Sequence, residues 1–273
     1  MIERDRAGER CGLLAIMLAP GGDEQAAERL AQRTQAPLLL ADADLDAAAV
    51  VPAPFDIAVR FDALGTCLLG DGMLLRPDLS AMAPRLKPGR LNRELLVRAA
   101  KIKRPADAPA DARLPLAVDA TAGLGEDALL LAAAGFSVLL FESDPVIAEL
   151  LRDSLRRAAA APEPELRAAA GRMRVAGEDS IAALPGLAPA PDVVYLDPMF
   201  PERRKRAAVK KKFQLIHRLE RPCDDEDALV AAALAACPRK VVIKRPVKGP
   251  HLAGIKPSYS IAGKSVRYDV LAR

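Results

Sequence analysis

LPLAVDATAGLGEDALLLAAAGFSVLLFESDPV, residues 114–146, decides the fold. A short apolar run, LPLAVD, stops at Asp119 and gives way to a glycine-bearing loop, TAGLG. EDALLLAAA then reads as a helix that Gly135 ends, and SVLLFE as a second apolar run closing on Glu142. Short apolar runs bounded by turn residues read as buried strands, and strand–helix–strand in so few residues calls for a parallel pair with the helix crossing one face. Asp144 and Pro145 supply an N-cap and a first-turn proline for PVIAELLRDSLRRAAA, whose apolar positions 146, 147, 150, 151 and 155 share one face.

The alternation continues outward. RMRVAG reads as a third strand, DSIAAL as a short helix, DVVYLD as a fourth strand, residues 224–236 as a helix and RKVVIKRP as a fifth strand. YSIAGKSVRYDVLA alternates around Gly263-Lys264, which predicts a terminal hairpin and so at least one antiparallel strand. Such a chain is α/β, with a mostly parallel sheet covered on both faces and ligands at the carboxyl ends of its strands. Upstream, LLAIMLA, PGGD, EQAAERLAQRT and APLLLA read as strand, turn, helix and strand, followed by short strands with Gly and Pro turns. KPGRLNRELLVRAAKIKRP, 87–105, reads as one basic amphipathic helix, and ADAPADARLP as a linker. These predict a small N-terminal α/β unit over 1–85, suited to docking a large substrate, and the main domain over 86–273.

The totals agree. A chain of 273 residues, 51% apolar and 28% charged, is long enough for one large α/β domain or an ordinary one with a small addition. Its longest nearly unbroken apolar run, 128–141, is interrupted by Gly135 and Ser137 and falls short of the roughly 20 residues of a membrane helix. CGLLAIMLA near the N-terminus follows mixed charges without a cleavage pattern, so it reads as a strand rather than a signal peptide, and the protein as cytoplasmic with no membrane partner. Four cysteines, Cys11, Cys67, Cys223 and Cys237, form no CxxC pair and have no histidine at ligand spacing, which predicts neither a metal site nor disulfides. Pro222-Cys223 has the form of a cytosine-C5 methyltransferase nucleophile, but RPCDDEDA reads as a helix start. His217 and His251 read as surface residues.

Net charge is only +4, yet it is segregated. Residues 85–104 carry +7, 202–221 carry +7 and 239–273 carry +8, which leaves −18 for the remainder. Segregation on this scale predicts a polyanionic partner such as nucleic acid.

The carboxyl ends of the predicted strands carry a series of polar groups. Asp119, Gly123 and Gly125 end the first, Glu142 the second at ribose-binding distance along the chain, and Glu178, Asp179 and Ser180 the third. Together they describe a nucleoside site. The loop 123–128 also satisfies G-x-G-x-x-(G/A), so by itself it leaves a nicotinamide dinucleotide open. VVYLDPMFP, 193–201, points elsewhere. An exocyclic amine on a base has its lone pair delocalised into the ring; the Asp197 carboxylate and the Pro198 carbonyl, accepting its hydrogens, favour a pyramidal nitrogen aimed at a methyl donor. Phe200 can stack on the base. Alignment with a sulfonium methyl then supplies much of the catalysis.

DATAGLG (119–125), LLFESDPV (139–146), VVYLDPMFP (193–201), AAVKKK (207–212) and VVIKRP (241–246) together resemble the ribosomal RNA small subunit methyltransferase J family over roughly residues 86–270. The resemblance implies a class I, Rossmann-like S-adenosylmethionine-dependent methyltransferase, with a mostly parallel seven-stranded sheet and a C-terminal antiparallel hairpin. It implies methylation of a guanine N2 amine in 16S rRNA, with 16S rRNA or the small ribosomal subunit as partner. Cofactor contacts carry over to Glu126, Asp127, Glu142, Ser143, Asp179, Ser180 and Asp197. Glu126 and Ser143 stand where relatives commonly have basic residues, Thr121 replaces the first glycine of the broader methyltransferase loop, and Met199 replaces the second proline of the broader Asp-Pro-Pro-aromatic motif. Arg203, Arg204, Lys205, Arg206, Lys210, Lys211 and Lys212 follow the motif directly and would contact RNA phosphates, with Lys244 and Arg245 as further candidates. Open beside this reading stand methylation of adenine N6 or cytosine N4 in nucleic acid, a nicotinamide-dependent oxidoreductase, and an RNA-binding protein without catalysis.

Overall fold

The computed structural model describes residues 13–43, 50–103, 113–198, 215–216, 218–219 and 225–273. These fall into two compact units, the first within Met1–Pro77, Pro145–Ser154 and Arg204–Glu220, the second within Asp78–Asp144, Leu155–Arg203 and Arg221–Arg273.

In the first unit β1 (Leu14–Leu18), α1 (Glu24–Thr34), β2 (Leu38–Leu40), β3 (Ile57–Asp62), β4 (Gly65–Gly70) and β5 (Met73–Leu75) build a sheet of order β2-β1-β3-β4-β5. β1 runs parallel to both its neighbours, and β3, β4 and β5 form an antiparallel meander. α1 starts where Asp23 accepts the Ala26 N–H, the expected use of an aspartate at an N-cap. Ala15, Met17, Ala58, Cys67 and Leu69 form an apolar core cluster.

The second unit opens with α2 (Ala83–Leu86), α3 (Pro88–Leu91) and α4 (Leu95–Ala100). The single helix expected over 87–105 is thus two short helices with a break between them. Lys87, which precedes a proline, is extended (ψ 135°), and so is Glu94 (ψ 127°). The Glu94 carboxylate takes two parallel bonds from the Arg85 guanidinium, Nε and NH2 each at 2.8 Å, and this side-chain fork stands where helix continuation would have been.

The main sheet follows: β6 (Leu116–Asp119), α5 (Glu126–Ala133), β7 (Ser137–Phe141), α6 (Pro145–Ala159), α7 (Pro164–Ala170), β8 (Met173–Gly177), α8 (Ser180–Ala183), β9 (Val193–Leu196), α9 (Glu226–Ala235), β10 (Lys240–Pro246), β11 (Tyr259–Ala262) and β12 (Val266–Ala272). Its order is β11-β12-β10-β9-β6-β7-β8, with β10, β9, β6, β7 and β8 parallel and β12 antiparallel to both its neighbours. This is the seven-stranded, mostly parallel sheet with a C-terminal antiparallel hairpin that the alternating pattern and the resemblance predict. Val118, Val194, Leu196, Val241 and Ile243 pack with Leu229, Val230 and Ala233 of α9 on one face. The strand order reverses at β6–β9, and in such sheets the crevice for a ligand opens at the carboxyl ends there. No helix among the described residues is long and apolar enough to cross a membrane.

Candidate active site

The loop after β6 is laced to the strands on either side. The Ala120 N–H donates to the Tyr195 carbonyl of β9 (3.0 Å) and the Ala122 N–H to the Phe141 carbonyl of β7 (2.9 Å). Asp119 itself lies inside the loop, 1% exposed, with Oδ1 accepting the Thr121 N–H at 3.1 Å. Burial holds its carboxyl well above the usual carboxylate range. Gly123 has φ +53°, and a Cβ built there meets nothing within 4 Å, so the backbone borders open space.

Glu142, at the end of β7, is fixed by two backbone donors. Its Oε2 accepts the Gly123 N–H at 2.8 Å and its Oε1 the Asp144 N–H at 2.9 Å. Burial raises its pKa in spite of these bonds. Each carboxylate oxygen still has acceptor capacity beyond one backbone bond.

On the other side of the switch point, the Asp197 N–H donates to Thr121 Oγ1 at 2.7 Å. Threonine in place of the usual first glycine therefore ties the cofactor-type loop to the Asp-Pro motif, a job glycine could not do. The β10–β9 register, Ile243 opposite Leu196, sets Lys244 beside Asp197. Lys244 Nζ lies 2.8 Å from Asp197 Oδ2 and 2.8 Å from Asp127 Oδ2, so it bridges the motif to the first turn of α5. The Tyr195 hydroxyl, from the buried β9, donates to the same Asp127 oxygen at 2.7 Å. Burial leaves the Asp197 carboxyl above the ordinary range although Lys244 pulls it down. Burial works against the charged Lys244, but Asp127 and Asp197 outweigh it and hold the ammonium well above its ordinary value.

Of the residues singled out in the sequence, Asp119, Gly123, Gly125, Asp127, Glu142 and Asp197 thus gather at one end of the sheet, joined by backbone and side-chain bonds. Gly125 caps α5 with φ +80°. Asp179 is the N-cap of α8, its Oδ1 accepting the Ala182 N–H at 2.9 Å, and Ser180 is buried. Glu126 and Ser143 are exposed, and Pro198 is buried. Phe200, Cys223 and Arg203, Arg204, Lys205, Arg206, Lys210, Lys211 and Lys212 lie outside the described residues.

Two expectations change. Lys244 is engaged by two carboxylates rather than presented as a lone cation, so it belongs to the site. Arg245 is 1% exposed, with Nε donating to the Pro250 carbonyl at 3.0 Å and Glu226 3.9 Å from its NH1. Strand alternation turns it to the face opposite Lys244, into the interior of the protein. The bond from the Asp197 N–H to Thr121, the Tyr195 hydroxyl and the Lys244 bridge escaped sequence reading. Period-two alternation on β9 and β10 was the available signal, since it puts residues at neighbouring strand ends side by side.

Residues 78–273 match the family described as "Putative SAM-dependent methyltransferase". The chain belongs to this SAM-dependent methyltransferase family. Curated relatives carry the name ribosomal RNA small subunit methyltransferase J. That of Cellvibrio japonicus is 47% identical over 164 residues, 58% of this chain and 62% of that protein. That of Neisseria meningitidis (strain FAM18) is 46% identical over 159 residues, 57% of this chain and 63% of that protein. The chain spans less than two thirds of the length of these curated relatives. A crystal structure of a SAM-dependent methyltransferase from Neisseria gonorrhoeae is similar at TM-score 0.66 and 28% identity, covering 94% of this chain and 96% of that one. The methyl donor of the family is S-adenosylmethionine, and a nicotinamide cofactor, which the glycine loop alone left open, is set aside by the family match.

Proposed function

We propose that this methyltransferase modifies the exocyclic N2 amine of a guanine in 16S rRNA, in the small ribosomal subunit. The observation that carries this reading is the placement of Asp197. Its main chain is held by Thr121, and its carboxylate oxygen Oδ2 by Lys244, at the strand end next to the Gly123–Glu142 loop. The names of the relatives, both ribosomal RNA small subunit enzymes, support the RNA class. The resemblance of VVYLDPMFP to that family supports the guanine amine.

The residues fit the cofactor. Open space in front of Gly123 suits a ligand that comes close to the backbone, and Glu142, pinned by two N–H groups, has acceptor capacity left for ribose hydroxyls. Asp179 and Ser180 would border the adenine. When bound, S-adenosylmethionine supplies an electrophilic methyl group on a good leaving group.

The chain's own residues orient the acceptor. Asp197 accepts a hydrogen bond from the amine and so resists delocalisation of its lone pair into the ring. The Pro198 carbonyl is the second acceptor of this reading, and Phe200 its stacking partner. Thr121 and Lys244 keep Asp197 in place, so that binding energy is not spent on ordering it at the moment of reaction. The small N-terminal unit is assigned to docking of the RNA.

Incubation with radiolabelled methyl donor and under-methylated small subunits, followed by mapping of the label, tests the reading. Label on a guanine N2 of 16S rRNA is expected, and lost with Asp197→Ala while RNA binding stays nearly intact. Label on adenine or cytosine would refute the guanine assignment.

A further inference from the structure

Resting on the RNA reading above, the structure assigns a backbone-binding rim to the exposed cations Lys87, Arg90 and Arg93, together with Lys248 and Lys264. This rim takes RNA phosphates at the carboxyl end of the β10–β12 side of the sheet.

The placement follows from register. At its carboxyl-terminal end α4 meets the start of β10, where Lys240 Nζ donates to the carbonyls of Ala99 and Lys101 at 3.2 and 2.6 Å. At its amino-terminal end α4 meets the β11–β12 turn, where a Cβ on Gly263 would lie 2.7 Å from Leu95 Cδ1. That turn stands at the finish of β10, since Pro246 pairs with Val266 and the Val247 N–H donates to the Ser265 carbonyl at 3.1 Å. α4 therefore runs antiparallel to β10, and the segment before it, 87–94, emerges at the carboxyl end of the sheet. Asp197 and Lys244 are at the same end.

The geometry also sorts six of the eight basic residues of 85–104, Arg98 being exposed on α4 and Arg104 lying outside the described residues. Arg85 is bound to Glu94, the one acid of the stretch, and its guanidinium is close enough to Asp127 to feel its charge. Lys101 and Lys103 lie past α4, at the opposite end of the sheet. Lys87, Arg90 and Arg93 are exposed, and among the described residues none of them makes an ion pair. They sit on α3 and its flanks beside Gly89, whose absent Cβ would meet nothing within 4 Å. Lys248 and Lys264, exposed and likewise without an ion pair among the described residues, border the same rim from the loop after β10 and the β11–β12 turn. A solvated face ordinarily intersperses acids with its cations; here the acid is consumed by Arg85, and the positive charge left over is aimed past the active-site end of the sheet. Repeated Lys and Arg without an ion pair among the described residues suit the sugar–phosphate backbone rather than bases.

Binding of under-methylated small ribosomal subunits, measured across a salt series for the whole protein, tests this. Lys87→Ala/Arg90→Ala/Arg93→Ala is expected to weaken binding at least about tenfold at physiological salt and to flatten the log–log salt slope by roughly 0.7 per contact, about 2 in all. The thermal shift produced by S-adenosylhomocysteine should be unchanged, which shows that the variant is folded; the single exposed reversal Arg90→Glu gives a second reading of the slope. Arg113→Ala/Arg239→Ala, exposed cations at the opposite end of the sheet, should leave slope and affinity as they were. Unaltered slope in the triple variant, or equal losses in both sets, overturns the rim while the rRNA reading stands. Absence of salt-dependent binding by the unsubstituted protein overturns the rRNA reading, and the rim with it.

Discussion

Lys244 and Asp119 show how much single residues depend on their neighbours. Lys244 touches Asp197 and Asp127, so Lys244→Met should lower the methyl-transfer rate by about 10²-fold through misplacement of Asp197, with S-adenosylhomocysteine affinity nearly unchanged. Its pH profile carries the diagnosis. Asp197 must be ionised to accept from the amine, and Lys244 lowers a pKa that burial has raised. Without Lys244 the acidic limb of the rate profile should move to higher pH, whereas Lys244→Arg should move it less; an unmoved limb would remove Lys244 from this role. Asp119 is a matter of stability. Its folded pKa is raised by burial, so its stabilising share is fully present below the unfolded pKa of roughly 3.9 and is lost as pH rises through the folded value. Asp119→Asn keeps an oxygen for the Thr121 N–H and abolishes this titration. The variant should gain on the parent protein in urea midpoint as pH rises above about 4, and a pH-independent difference would show that folding leaves the Asp119 pKa unshifted. Both carboxylates were visible in the sequence as strand-end residues. The cation that meets Asp197 was not, because Lys244 lies 47 positions away and only the sheet brings them together.

At the scale of elements, the sequence was most legible where hydrophobic period and turn chemistry agreed. Gly135 ends α5 at φ +98°, and Asp225 caps α9 through the Ala228 N–H, each within a residue or two of the predicted limit. The segment 87–105 misled because its apolar spacing fits a helix while Pro88 and the Arg85–Glu94 fork break it. The fork joins residues on either side of α3, a relation that periodicity cannot register. The turn between β1 and α1 depends on a missing side chain. A Cβ on Gly22 would lie 2.5 Å from the Phe61 carbonyl oxygen, and that backbone belongs to β3, which is hydrogen-bonded on both sides. Gly22→Ala should therefore destabilise the first unit by about 1–3 kcal/mol, read as a fall in its denaturation midpoint. Gly22→Ala at parental stability would mean that β3 moves aside easily.

For the whole molecule, ligand linkage is the simplest test. S-adenosylhomocysteine at a hundred times its dissociation constant should stabilise the protein by about 2.7 kcal/mol, seen as a higher Tm, and NAD should do nothing. Stabilisation by NAD alone would contradict the cofactor assignment. The sequence by itself determined the α/β class, the order of the parallel strands' elements, the terminal hairpin and the carboxylates that end the strands, because these follow from short-range hydrophobic period, glycine and proline placement and the polarity of strand ends. Only the tertiary structure decided which charges meet. Lys244 became part of the site and Arg245 part of the interior through a one-residue alternation on β10, and Thr121 gained its purpose from an amide 76 residues away. Electrostatic partners are set by distance in space, and for a parallel sheet with its strands out of sequence order that distance is fixed by the strand order and register, which no local pattern contains.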